Sequence, residues 1–276
     1  MERLSHLFKG VPRYMNEKIA LSPRNEQIRN TMIICAAVAL FIVSLNQLDL
    51  DLETFISRLE RLPRILGLFM SLDFTIIRDA MGELVLSIAM ALSALAMGGI
   101  LSLILGFLAA ENTAPNRVVA TIIKGFVSTI RAIPSVVLIL LIIASLGLGY
   151  IAAVTSLTLS SMGYLTKAFA STIEDQSSDL TETMRSTGAN WFQIVVHGFF
   201  PNVLPSFLAW VSIRLEMSIS ESISLGIIGA AGIGRMLSRA MRNHQHAQVS
   251  TLILIIFATM LAIEILLNLV KKKANA

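Results

Sequence analysis

The sequence predicts an all-α membrane protein with about six transmembrane helices and both termini cytoplasmic. Three observations carry that expectation. The chain of 276 residues is 55% hydrophobic and only 14% charged, where a water-soluble domain carries about 25% charged residues. Its apolar residues gather in six runs, each about as long as or longer than the ~20 residues that a helix needs to cross a bilayer. Lys and Arg concentrate on the flanks that this topology puts in the cytoplasm. No room is left for a large soluble domain, so an energy-converting module has to be another chain.

Residues 1–30 carry six Lys/Arg against three acids, and the first apolar run follows from Thr31 to about Leu48. A cleaved signal peptide has a shorter basic region and a small-residue cleavage site, so this run is expected to be a retained span. Residues 49–83 hold seven acids and four arginines, as suits the outer side. There Leu52, Phe55, Ile56, Leu59 and Leu62 repeat at helical spacing up to Pro63. The pattern predicts an amphipathic helix, lying on the membrane surface or packed on the spans.

The remaining runs are Leu84 to Ala110, Val118 to Leu148, Ile151 to about Ile173, Val203 to about Ile233, and Ser250 to Val270, closed by Lys271, Lys272 and Lys273. Cytoplasmic segments then hold thirteen Lys/Arg and outer segments seven, in line with the positive-inside rule. Arg235, Arg239 and Arg242 run against that bias on the outer side and are expected to have a partner. No internal repeat is present, so a symmetric pathway requires two copies of the chain.

The longest polar stretch after residue 84 begins at Glu174 and ends near Phe200-Pro201. Thr181 to Thr187 can form a helix that Gly188 stops. Asn190 can cap a second short helix, Trp191 to Phe200, ahead of Pro201 and Pro205. Two short helices at an angle make a cytoplasmic knob that a motor subunit could grip.

Glu182-Thr-Met, then Gly188, then Phe200-Pro201 resemble the coupling loop of permease subunits of binding-protein-dependent ABC importers, with Glu182, Gly188 and Pro201 at matching positions. Thr183 and Met184 replace the two alanines of that pattern, and Phe200 its usual leucine. Ile130-Arg-Ala-Ile-Pro134 and Gly226-Ile-Ile-Gly-Ala-Ala-Gly-Ile-Gly234 resemble further motifs of the same MetI-like core. Together with Met184-Arg-Ser-Thr-Gly-Ala-Asn190 and Arg214-Leu-Glu216, they are most similar to the phosphonate-type permeases. The resemblance implies import of a small anionic solute (phosphonate, phosphite or a phosphate ester) by alternating access of a homodimer. It also implies separate ATPase subunits that hold ATP and Mg, and an external substrate-binding protein. Methionine and quaternary-amine permeases share the loop and stand as alternatives, with a non-transporting membrane scaffold further off.

On this basis residues 1–30 form a cytoplasmic segment and 31–80 the first span with its outer amphipathic segment. Residues 81–270 form the permease core, with the coupling loop at 174–205, and 271–276 a cytoplasmic tail.

Charges inside spans are few, and burying one costs at least ~2.5–3.5 kcal/mol. Arg131, Arg214, Glu216, Glu221 and Glu264 form that short list. On a helical wheel Arg214, Ser218, Glu221 and Ser222 share one face, while Glu216, Ser220 and Ser224 occupy the opposite one. The fifth span therefore lines a cavity or is enclosed by protein, with Arg131, Arg214, Glu216, Ser218 and Glu221 as candidate pathway residues. Guanidinium suits phosphonate oxygens; the alternative is a structural ion pair, for example Arg131 or Arg214 with Glu216.

Other chemistry is disfavoured. Gly229-x-x-Gly232-x-Gly234 has the wrong glycine order for a dinucleotide site, and no phosphate loop with Lys-Ser/Thr occurs. It is expected to serve close helix packing and a bend. Cys35 has no partner cysteine. His244-x-His246 lacks nearby Cys, Asp or Glu ligands, so no metal or cofactor is expected in this chain. Basic flanks are what membrane insertion demands, which leaves no call for nucleic acid. The outer patch of Arg235, Arg239 and Arg242 suits a binding protein or lipid headgroups.

Overall fold

The computed structural model describes residues 24–48, 52–60, 62–176 and 178–274. The first 23 residues of the expected cytoplasmic segment and the last two of the expected tail lie outside the described residues. Every regular element among the described residues is helical. The chain separates into two units, 1–63 and 64–276.

In the first unit, α1 (Arg24–Gln47) is a 24-residue apolar helix long enough to cross a membrane. The short α2 (Leu52–Leu59) carries Phe55, Ile56 and Leu59 on its apolar side. Pro63 was expected to end this amphipathic stretch. The helix does break there: α2 ends at Leu59, and Pro63 stands in the first turn of a new helix, α3 (Leu62–Phe69), most of which belongs to the second unit. At that position its fixed φ suits a helix start and no N–H is missed.

The second unit is built round α4 (Ile77–Ala109) and α7 (Tyr150–Glu174). Small residues every fourth position on α4 let the two backbones touch. A Cβ on Gly98 would stand 2.9 Å from both Ser161 Cβ and the Thr158 carbonyl oxygen, and one on Gly106 would stand 2.9 Å from Phe169 Cβ. Between them Ser102 is buried, its hydroxyl donating to the carbonyls of Gly98 at 2.6 Å and Met162 at 3.1 Å.

The expected single span from Val118 to Leu148 is broken. α5 (Arg117–Ala132) and α6 (Ser135–Leu146) meet at 91°. Pro134 supplies no N–H and forces Ile133 into an extended conformation (φ −78°, ψ 121°), which ends the first helix.

Four helical stretches, Asn25–Gln47, Phe74–Ala109, Trp191–Arg242 and His246–Leu269, are long and apolar enough to cross a membrane, and the bent α5–α6 pair makes a fifth. The remaining expected span, α7, has the length, at 25 residues, but carries many Ser and Thr. Burial explains that composition: Ser156, Thr158, Ser161 and Thr166 are buried among neighbouring helices.

α10 (Phe200–Ile228) ends at Gly229, in the left-handed region at φ +111°, and the chain folds back through Gly232 (φ +82°) into α11 (Ile233–Arg242). A Cβ on Gly234 would fall onto the Ile223 carbonyl oxygen, and one on Gly226 would lie 2.7 Å from the Ala231 carbonyl oxygen. The glycine-rich segment is thus a tight reversal, and the fifth apolar run ends at 228 rather than 233. α12 (His246–Ala274) completes the bundle. Its Thr251 hydroxyl accepts from the Asp73 N–H at 2.9 Å, which ties it to the start of α4.

Candidate functional site

Two places collect the residues singled out by sequence. The first is the loop after α7. α8 (Ser178–Ser186) ends where Gly188 adopts φ +82°. The Gly188 N–H donates to the Arg185 carbonyl at 2.9 Å and the Ala189 N–H to Met184 at 3.2 Å, a left-handed helix stop that glycine adopts without strain. Asn190 then caps the next turn: its side-chain oxygen accepts from the Gln193 N–H at 2.9 Å, and the Gln193 side chain accepts from the Asn190 N–H at 2.8 Å.

The second short helix was expected to end at Pro201, but the chain stays helical into the span. A single α-turn, α9 (Trp191–Gln193), passes through a π-helical stretch, Ile194–Phe199, directly into α10. Pro201 falls in the first turn of α10, where the wider π-turn already disrupts the regular ladder and the missing N–H costs little. One lever therefore runs from the capped turn at Asn190 to Ile228.

Apolar packing fastens this lever to the bundle. Ile194, Val195, Phe199, Val203 and Phe207 share one buried cluster with Phe107 of α4 and Leu165 and Phe169 of α7. Phe207 stacks on Phe169 with ring centroids 4.1 Å apart. Leu180 and Met184 of α8 pack on the same cluster, and the Met184 sulfur occupies the space over Gly198 that any Cβ there would need. Glu182 faces away, exposed. It borders a cleft of about 670 Å³ with Glu111, Asn112, Thr181, Arg185 and Ser186.

The turn between α4 and α5 is clamped to the same end. Lys124 Nζ lies 2.8 Å from a carboxylate oxygen of both Glu111 and Glu174. The Trp191 indole N–H donates to the Thr113 carbonyl at 2.5 Å, and the Asn112 side-chain amide donates to the Ile173 carbonyl at 2.7 Å. The hydrogen bond from Lys124, and then its charge, hold the Glu111 carboxyl below the usual glutamate range.

The second place is the middle of α10 against α7. Arg214 is 1% exposed, and its guanidinium is almost fully used. Nη1 donates to Glu221 Oε1 at 3.0 Å, and Nη2 to Glu221 Oε2 at 2.7 Å and to Ser160 Oγ at 3.0 Å. Nε donates to Ser161 Oγ at 3.0 Å, and the Tyr164 ring centroid lies 5.8 Å from Cζ. Ser218 is buried, with its hydroxyl 3.3 Å from that of Ser161.

The expected structural pair therefore exists, but with Glu221, two turns along the same face, rather than with Glu216. Glu216 lies on the opposite face, partly exposed. Arg131 is exposed at the end of α5, its stem packed on Gly163. Glu264 is exposed on α12. Sequence reasoning missed Ser160, Ser161 and Tyr164; the signal available was a serine pair inside an apolar run, one span before a buried arginine.

At the opposite end of the bundle, Arg235 pairs with Glu83 at 2.9 Å, and Arg242 donates to Ser238 Oγ at 2.6 Å. Arg235 thus has the partner expected for it. His246 packs edge-on against Phe69 with centroids 5.6 Å apart.

The described residues thus form a helical bundle in which a capped, glycine-stopped loop runs into a span with a polar core. Residues 102–275 match the family of binding-protein-dependent transport system inner membrane components, and the chain belongs to that family. It is thus a multi-pass inner-membrane permease of the ABC-importer type. The chain is 29% identical over 223 residues to the phosphite transport system permease protein PtxC of Stutzerimonas stutzeri, covering 81% of each chain. It is 32% identical over 180 residues to the phosphate-import permease protein PhnE of Mycolicibacterium smegmatis, covering 65% of this chain and 34% of that one. The probable D-methionine transport system permease protein MetI of Pasteurella multocida is 26% identical over 132 residues, 46% of this chain and 59% of that one. Among solved structures, an inward-facing MetNI methionine ABC transporter superposes with a TM-score of 0.65 at 19% identity, over 74% of this chain and 99% of that one. That likeness shows the MetI-like fold.

Proposed function

We propose that this chain is the permease subunit of an ATP-driven importer for a small phosphorus oxyanion, a phosphonate, phosphite or phosphate ester, working by alternating access as a homodimer. The observation that carries the coupling is the single apolar cluster joining α8 and the π-helical stretch to α4, α7 and α10. A push on the exposed Glu182 face moves close-packed side chains, which transmit strain rather than absorb it.

Separate ATPase subunits hold ATP and Mg and grip the loop around Glu182, Gly188 and Pro201. An external binding protein delivers substrate at the other end, near Arg235, Arg239 and Arg242. Relatives that transport phosphite and phosphate support the substrate class. Methionine permeases among the relatives support a second substrate reading.

Uptake by the complex of this chain with its ATPase and binding protein, in proteoliposomes, separates the two. Inorganic phosphite or a simple alkylphosphonate should accumulate with ATP, and D-methionine should neither accumulate nor compete. Accumulation of methionine alone would overturn the substrate assignment.

A further inference from the structure

Three of the charges singled out in the spans, Arg131, Glu216 and Glu264, are left unmatched by the single chain among the described residues, and Arg131 is the one base among them. Arg131 and Glu216 make no hydrogen bond or ion pair among the described residues, whereas Arg214 is saturated by Glu221, Ser160 and Ser161. An ionised group at that depth needs a partner or water.

Arg131 and Glu216 sit at one level. α7 and α10 run antiparallel, with Ser161 opposite Ser218 and Phe169 opposite Phe207. Counting two residues from the serine pair, Gly163 is level with Glu216, and Gly163 is where the Arg131 stem packs; a Cβ there would lie 3.1 Å from Arg131 Cγ.

They also point away from each other. Gly163 and Ser161 are about 200° apart round α7, so α5 and α10 lie on opposite sides of it. Glu216 in turn lies about 200° from Arg214, on the side of α10 turned away from α7. Arg131 and Glu216 thus bracket the protomer at one height. A two-fold rotation about the membrane normal sets the Arg131 flank of one copy beside the Glu216 flank of another, and each such contact is then made twice.

We propose that Arg131 of one protomer pairs with Glu216 of the partner subunit, and that the two symmetry-related ion pairs close the seam of a homodimer around the pathway. This rests on the homodimeric reading above. It gives Arg131 a structural partner.

The test uses the assembled complex. Arg131→Glu and Glu216→Arg alone should each lower ATP-driven phosphite uptake at least tenfold, and the double exchange should return it to within about threefold of the parent. In a Cys35→Ser background, Arg131→Cys with Glu216→Cys, treated with a short bifunctional thiol cross-linker, should give a band of twice the subunit mass, which neither single cysteine variant gives. The cross-linker is needed because an Arg–Glu pair is too long for a direct disulfide. An exchange as inactive as the single variants, with no such band in a complex that native mass spectrometry shows to hold two copies, would overturn the pairing while leaving the homodimer intact. A complex with one copy would overturn both. Rescue by Arg131→Lys with a raised KM for phosphite, and no cross-link, would assign Arg131 to the substrate instead.

Discussion

Arg214 and Glu221, seven residues apart on α10, meet face to face, with guanidinium nitrogens 3.0 and 2.7 Å from the two carboxylate oxygens. The arginine side chain is 2% exposed and the glutamate 26%, so the pair is a strut inside the bundle that is less enclosed on its acidic side. Removing one partner strands a buried charge, which costs about 3–5 kcal/mol. Arg214→Met and Glu221→Gln should each lower the thermal unfolding midpoint of the purified subunit sharply. Arg214→Met with Glu221→Met should recover most of that loss. Additive losses in the double variant would show that the two side chains act independently.

The α4–α7 contact predicts opposite effects for two glycines of one helix. At Gly98 a Cβ would crowd the Thr158 carbonyl, which cannot swing aside, while at Gly82 nothing lies within 4 Å. Gly98→Ala should cost about 1–3 kcal/mol through overpacking. Gly82→Ala should be neutral or stabilising by up to about 1 kcal/mol, the helix-propensity gain. Unfolding midpoints in detergent measure both.

The Glu111–Lys124–Glu174 bridge carries a pH signature of known sign. Hydrogen bonding and charge from Lys124 lower the folded-state pKa of Glu111, so its contribution is present above the unfolded-state value and disappears as pH falls through the folded one. The stability difference between the parent and Glu111→Gln should therefore be constant near neutrality and vanish in acid, below the ordinary glutamate range. A difference that grew toward low pH would contradict the assignment.

Much of this was legible in the sequence, and the failures share a cause. Hydropathy placed the spans, and Gly188 and Asn190 marked the loop's turns, because these depend on neighbours in the chain. Arg214's partner was misassigned because wheel geometry put Glu221 on its face without showing which acid the side chain would reach. Pro134 and Pro201 were misread in opposite senses. Proline removes the same N–H at both, yet the span breaks at Pro134, while at Pro201 a π-turn just upstream absorbs the loss. Ser160 and Ser161 escaped notice because a buried hydroxyl signifies only once the group opposite it is known.

The central claim is that the loop at Gly188 carries the ATPase stroke into α10. Gly188 has φ +82°, donates its N–H to Arg185 and has empty space where a Cβ would stand, so a proline there perturbs the backbone and not the packing. The most direct measurement is ATP hydrolysis and phosphite uptake, side by side, by the reconstituted complex carrying Gly188→Pro. The expected result is a membrane-inserted subunit of near-parental span stability, with uptake abolished and hydrolysis no longer stimulated by loaded binding protein. Parental uptake with parental stimulation would contradict the claim.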